Sequence, residues 1–211
     1  MAIMILSLVT SLMTFTQSYL HSANAGQQIR SDIFDLSERQ MKDAIAIGQV
    51  DLQTITEFRS EQSLPVLENT MPGRQPAISV NTPYYYIAMM SYNAFSQGRQ
   101  YTLNDAKKIN EQFSGLGQLG FGVKASGDNA NFTDHITITL KQGSTILLPD
   151  SITGKGGLAE ADGAGSSSYS TMLIPYFDNS RIDFSQPAEL IYLDEEQRQS
   201  VIYQVDFAKI K

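Results

Sequence analysis

NTPYYYIAMMSYNAF, residues 81–95, decides how the middle of this chain folds. Tyrosine and isoleucine favour strands, and Pro83 fits an edge or a strand start. The run therefore reads as a short edge piece from Ala77 followed by a long strand to Phe95. Alternation sends Tyr84, Tyr86, Ala88, Met90 and Tyr92 to one face and Tyr85, Ile87, Met89, Ser91 and Asn93 to the other. Both faces are apolar over the first half, as in a strand covered by a second sheet on one side and a helix on the other. Most of the rings are then core or core margin. The alternative is an exposed aromatic platform that stacks on sugar rings or anchors a protein partner. Tyr84 and Tyr85, nearest the strand end, are its candidate partner-binding residues.

The covering helix opens at Thr102, an N-cap with Asp105 near the positive end of the dipole. Leu103, Ala106, Ile109 and Phe113 share its apolar face, and Gly115 is its expected end. Beyond it the grammar is mainly β. Leu119-Gly120-Phe121-Gly122-Val123 alternates large and absent side chains, as a strand does where another backbone comes close. Ile136 to Leu140 alternates with period two, turns at Gln142-Gly143 and returns as Thr145 to Leu148. Gly154 to Ser168 is a Gly/Ser-rich loop, and Tyr169 to Tyr176 returns to strand. Ala188 to Leu193 and Val201 to Phe207 flank the charged turn Asp194 to Arg198. Short strands at this spacing predict a mainly β fold over residues 76–211: a β-sandwich of immunoglobulin-like character with one inserted helix.

Residues 26–75 read as a helical preface and linker. Ser37 and Gln40 form a capping box, Leu36 and Met41 a hydrophobic staple, and Gly48 stops the helix. A second helical segment over Asp51 to Ser60 has Leu52, Ile55 and Phe58 as its apolar positions. Glu61 to Gln75, with Pro65, Pro72 and Gly73, is a linker or a wrapping segment.

Residues 1–25 have the pattern of a secretory signal peptide. An uncharged apolar stretch from Ala2 to Phe15 is followed by a polar segment and by Ala23-Asn24-Ala25, with cleavage expected between Ala25 and Gly26. The n-region lacks Lys and Arg, and the competing reading is an uncleaved membrane anchor in an envelope complex. Seven Ser or Thr residues between Ala2 and Ser22 weigh against a span. The expected location is therefore the periplasm or the exterior.

Composition removes several chemistries. The chain has no cysteine, which excludes a lipobox, disulfides and thiolate catalysis or metal binding. A net charge of −7 without any basic stripe argues against nucleic acid as a partner. His135 follows Asp134, but neighbours on a strand point to opposite faces, and no G-x-S-x-G elbow supplies a serine. A lone imidazole makes no zinc site. The acidic loops Asp128 to Asp134 and Asp178 to Asp183 offer oxygen ligands for calcium, yet Ala130 and Phe132 occupy positions where an EF-hand needs donors. Gly154-Lys155 is no phosphate loop, because Pro149 stands where its first glycine belongs. Asn131-Phe132-Thr133 is a glycosylation sequon. The expectation is an exported, non-enzymatic binding or structural protein without cofactor or metal, contacting a protein or cell-surface component. Its rival is an exported hydrolase with paired carboxylates.

Overall fold

The computed structural model describes residues 33–71, 73–163 and 167–211. The expected signal segment, with its cleavage at Ala25 and Gly26, lies outside the described residues. Among those residues no helix is long and apolar enough to cross a membrane. The described chain is mixed, with four helices and ten strands in two open antiparallel sheets.

The first two helices follow their capping signals. Helix α1, Glu38–Gly48, starts at Ser37, whose hydroxyl accepts from the Gln40 amide while the Gln40 side chain accepts from the Ser37 amide. Leu36 and Met41 are both buried, as a staple requires. Helix α2, Leu52–Glu61, is capped by Asp51, which accepts from the Thr54 amide. Ile55 and Phe58 are buried there, whereas Leu52 is 68% exposed.

The tyrosine run corrects the strand reading. Ala77–Asn81 is strand β2, but Pro83–Ser96 is helix α3. Thr82 is its N-cap and accepts from the Tyr85 amide, and Pro83 occupies the first turn, where its missing N–H costs nothing. This local chemistry, together with packing on α1, overrides the strand preference of tyrosine, which depends on context. Helix α4, Leu103–Leu116, starts with a full Thr102–Asp105 capping box and runs past Gly115 to a left-handed Gly117 with φ of +62°. Two helices are therefore inserted where one was expected. Nor does α4 lie on a sheet, for it packs on α1 and α3. The four helices share a buried cluster built on Leu36, Met41, Ala44, Ile55, Phe58, Tyr84, Ile87, Ala88 and Ala106.

One sheet runs β1-β10-β9-β4-β5, comprising Val66–Asn69, Gln199–Val205, Ala188–Asp194, Ile136–Gln142 and Thr145–Leu147. The other runs β2-β3-β8-β6, where β3 is Gln118–Gly127, β8 is Tyr169–Asp178 and β6 is Ser151–Thr153. The two-residue β7, Glu160–Ala161, also pairs with β8. Both expected hairpins are present, β4 with β5 and β9 with β10. Inward residues of the two sheets, among them Val80, Phe121, Leu173 and Phe177 from one and Ile138, Leu140, Tyr192 and Val201 from the other, form one buried cluster. Alternation places the outward Thr137 and Thr139 at the surface.

The segment from Glu61 to Gln75 wraps. The Leu64 amide donates to Ile78 O on the second sheet, and Ser63 bridges Ser79. Further on, β1 pairs with β10, and the Thr70 amide donates to Ser200 O.

Candidate functional site

Helix α2 is followed by Ser63, which pairs with Ser79 along the edge of β2. Between α2 and this sheet lies an open cleft of about 360 Å³. Its helical wall is Thr56, Arg59 and Ser60, spaced i, i+3 and i+4 so that all three share one face of α2. Its floor comes from three paired strands. Ala77 stands opposite Lys124, which stands opposite Met172, and Ser79 stands opposite Gly122. Period two puts these residues on the face away from the main core.

Of the Gly120-x-Gly122 pair only Gly122 lines the cleft, and the need for glycine differs from the expected one. A Cβ on Gly122 would lie 3.0 Å from Asn81 Oδ1, and one on Gly120 would lie 3.1 Å from a Tyr176 ring carbon. Side chains, and not a neighbouring backbone, cover the Gly-x-Gly pair. Asn81 itself is buried, at 8% exposure.

Tyr85 joins the cleft lining. The Thr82 cap holds its amide, and its ring stacks on Phe58 at 6.0 Å with an interplanar angle of 23°. Tyr84 does not reach the cleft lining. It is 7% exposed within the helical cluster, 6.5 Å from the Phe58 ring, and burial followed by the nearby Asp43 charge pushes its phenol above the ordinary value. The structure thus places one of the two sequence-predicted residues at a cavity and the other in a core.

The charged lining is basic. Arg59 and Lys124 both side the cleft, and among the described residues no carboxylate joins them in the lining and neither makes an ion pair. Arg59 sits in the last turn of α2, where a cation suits the helix dipole. Lys124 contributes to holding the Asp162 carboxyl below its usual range, after the larger effect of hydrogen bonds from Ser168 and Ser170.

The other sequence candidates lie elsewhere. His135 is exposed at the end of a short 3₁₀ turn, and its carbonyl accepts from the Glu195 amide at 3.0 Å. Asp128 pairs with Arg74, and Asp178 caps a turn by accepting from the Ser180 amide. Among the described residues no group of three or more His, Cys, Asp or Glu side chains is placed to hold a metal ion. Lys155 Nζ donates to Ile136 O at 2.6 Å and the Gly156 amide donates to Thr133 Oγ1, which anchors the start of the glycine-rich loop.

Arg59, Lys124, Ser79 and Met172 were not singled out by sequence. The available signal was the Thr56-Arg59-Ser60 face and the Gly120-x-Gly122-x-Lys124 alternation, each of which marks one side of an element without naming what faces it. The chain matches no family model, no curated protein and no solved structure.

Proposed function

We propose that this chain is an exported, non-enzymatic binding protein of immunoglobulin-like architecture. It acts in the periplasm or outside the cell and takes a small group of a cell-surface component into the cleft beside Tyr85. The observation that carries this reading is the aromatic wall, Tyr85 stacked on Phe58, set over a floor kept shallow by Gly122 and rimmed by hydroxyls. A rigid aromatic beside convergent polar groups is the usual make-up of a small-ligand site, and the volume falls within the roughly 300–1,000 Å³ such sites occupy.

Strand order supports the immunoglobulin-like part. The order β2-β3-β8-β6 has the sequence of strands A-B-E-D, and β10-β9-β4-β5 that of G-F-C-C′. On this correspondence β1 is an addition beside G, and helices α3 and α4 are an insertion between A and B. Architecture carries no function with it, so the binding role rests on the cleft.

Two measurements test the proposal. The intact mass of the protein from its native host is expected to begin at Gly26 in an exported fraction; a full-length mass in the cytosol sinks the export reading. In an amide chemical-shift titration with peptide and glycan fragments of the host's own surface, shifts are expected at Arg59, Ser79, Tyr85 and Gly122. Shifts confined to another face would overturn the cleft.

A further inference from the structure

Building on the cleft as the binding site, we infer that its ligand is an anion: a carboxylate or phosphate group, held by Arg59 and Lys124, on a body of about monosaccharide size that rests against Tyr85 and Met172. The chain as a whole is acidic, with 22 Asp and Glu against 15 Lys and Arg. The ionised side chains of the lining have the opposite sign. A dipole argument accounts for Arg59 at the end of α2, but it does not account for Lys124, which arrives from the middle of β3 and opens on the same space.

Several surface cations of this protein are held in ion pairs, while among the described residues Arg39, Lys108 and Arg198 are not, so what distinguishes Arg59 and Lys124 is that they share one cleft. Arg74, Lys141 and Arg181 pair with Asp128, Glu189 and Asp150. Arg59 makes no ion pair among the described residues, and Lys124 makes none either, though its charge also reaches the Asp162 carboxyl. Arginine offers a planar fork that suits carboxylate and phosphate, and lysine a compact charge. The hydroxyls of Thr56, Ser60 and Ser79 add neutral donors around them, while Tyr85 and Met172 supply the apolar contact that an ion alone would not need. Both cations are exposed, so the ligand's charge is only partly desolvated and binding is sensitive to salt.

The test is an amide-shift titration of the full mature chain with glucuronate, glucose 6-phosphate and glucose, and with a galacturonate oligomer to represent a surface polymer. We expect saturable shifts at Tyr85 and Gly122 with the acidic sugars, binding at least about tenfold weaker for glucose, and loss of about tenfold for Arg59→Gln and for Lys124→Gln. Tighter binding of the oligomer than of its monomer identifies the polymer as the source; equal binding identifies the free acid. Equal cleft binding of glucose and glucuronate, still lost in Tyr85→Ala, overturns the anion and leaves the cleft standing. Acidic sugars that leave Tyr85 and Gly122 unshifted overturn the anion, while fragments of the host surface decide the cleft separately. Both glutamine variants change exposed side chains, so unchanged melting temperatures are the folding control.

Discussion

A Cβ on Gly48 would lie 2.4 Å from the carbonyl oxygen of Ala88, which makes the contact of α1 with α3 a backbone-to-backbone fit. The same position would meet Ser91 Cβ at 2.4 Å, and Ser91 Oγ donates across the crossing to Ile45 O at 2.9 Å. Gly48 does end its helix, as the sequence suggested, but proximity and not a left-handed turn is what demands glycine there. Gly48→Ala must push the two helices apart and is expected to cost about 1 to 3 kcal/mol. Thermal unfolding checks it, at about 2 to 4 °C per kcal/mol for a chain of this size. An unchanged melting temperature would mean that the helices are not this close.

Gly115 is the opposite case. It lies inside α4, nothing stands within 4 Å of a Cβ added there, and it takes no positive φ. Gly115→Ala is expected to stabilise by about 0.4 to 1 kcal/mol, chiefly by restricting the unfolded chain. Denaturant melts should show a higher midpoint at constant slope.

The adjacent tyrosines separate by phenotype. Tyr84→Ala empties a buried position and is expected to cost about 3 kcal/mol. Tyr85→Ala removes a half-buried ring at the cleft, so its expected stability loss is smaller while ligand shifts at Gly122 disappear. Melting curves paired with titrations distinguish the two, and equal stability losses with binding intact would remove Tyr85 from the site.

Tyr101 gives a pH signature. Its buried hydroxyl has no hydrogen-bond partner among the described residues, and burial, aided by the charge of Asp105, pushes its phenol from the ordinary 10 up to about 12. The folded state thus favours the neutral phenol. Its contribution to stability is complete below pH 10 and is lost as pH rises from 10 to about 12. Burial also raises the phenols of Tyr84, Tyr86, Tyr192 and Tyr203, so phenolate absorbance in the native protein should show several late-titrating groups, and Tyr101→Phe should lower their number by one. At neutral pH the same substitution is expected to be neutral or slightly stabilising, since it deletes an unpaired buried polar atom. A destabilised variant would mean that the hydroxyl has a partner.

Local signals were legible and long-range juxtapositions were not. Ser37 with Gln40, Thr102 with Asp105 and the β4–β5 hairpin act within a few residues, so their types and spacing suffice. The Thr82-Pro83 pair carried an equally local helix-start signal, but tyrosine-rich runs also suit strands, and only packing on Gly48 and its neighbours decides between them. Arg59 and Lys124 meet because Ser63, just after α2, pairs with Ser79 of β2 and the β2–β3 register sets Lys124 opposite Ala77. No periodicity along the chain encodes that meeting. Tyr85 was reached through its aromaticity although its element was misread, because a ring beside a proline lies near an element end in either conformation.

The lengths of the outer strands have a consequence for behaviour at high concentration. The ten-residue strands β3 and β8 lie inside their sheet. Its edges are the five-residue β2, partly covered by Ser63 and Leu64, and, along β8, the three-residue β6 and the two-residue β7. The other sheet ends in the three-residue β5 and in β1, four residues long and broken by a bulge between Val66 and Glu68. Each rim offers a second molecule too few aligned amides and carbonyls to template edge-to-edge polymerisation. The strand-rich chain therefore carries its own guard against fibre growth, and removing the wrap between Ser63 and Asn69 would uncover the full seven-residue β10.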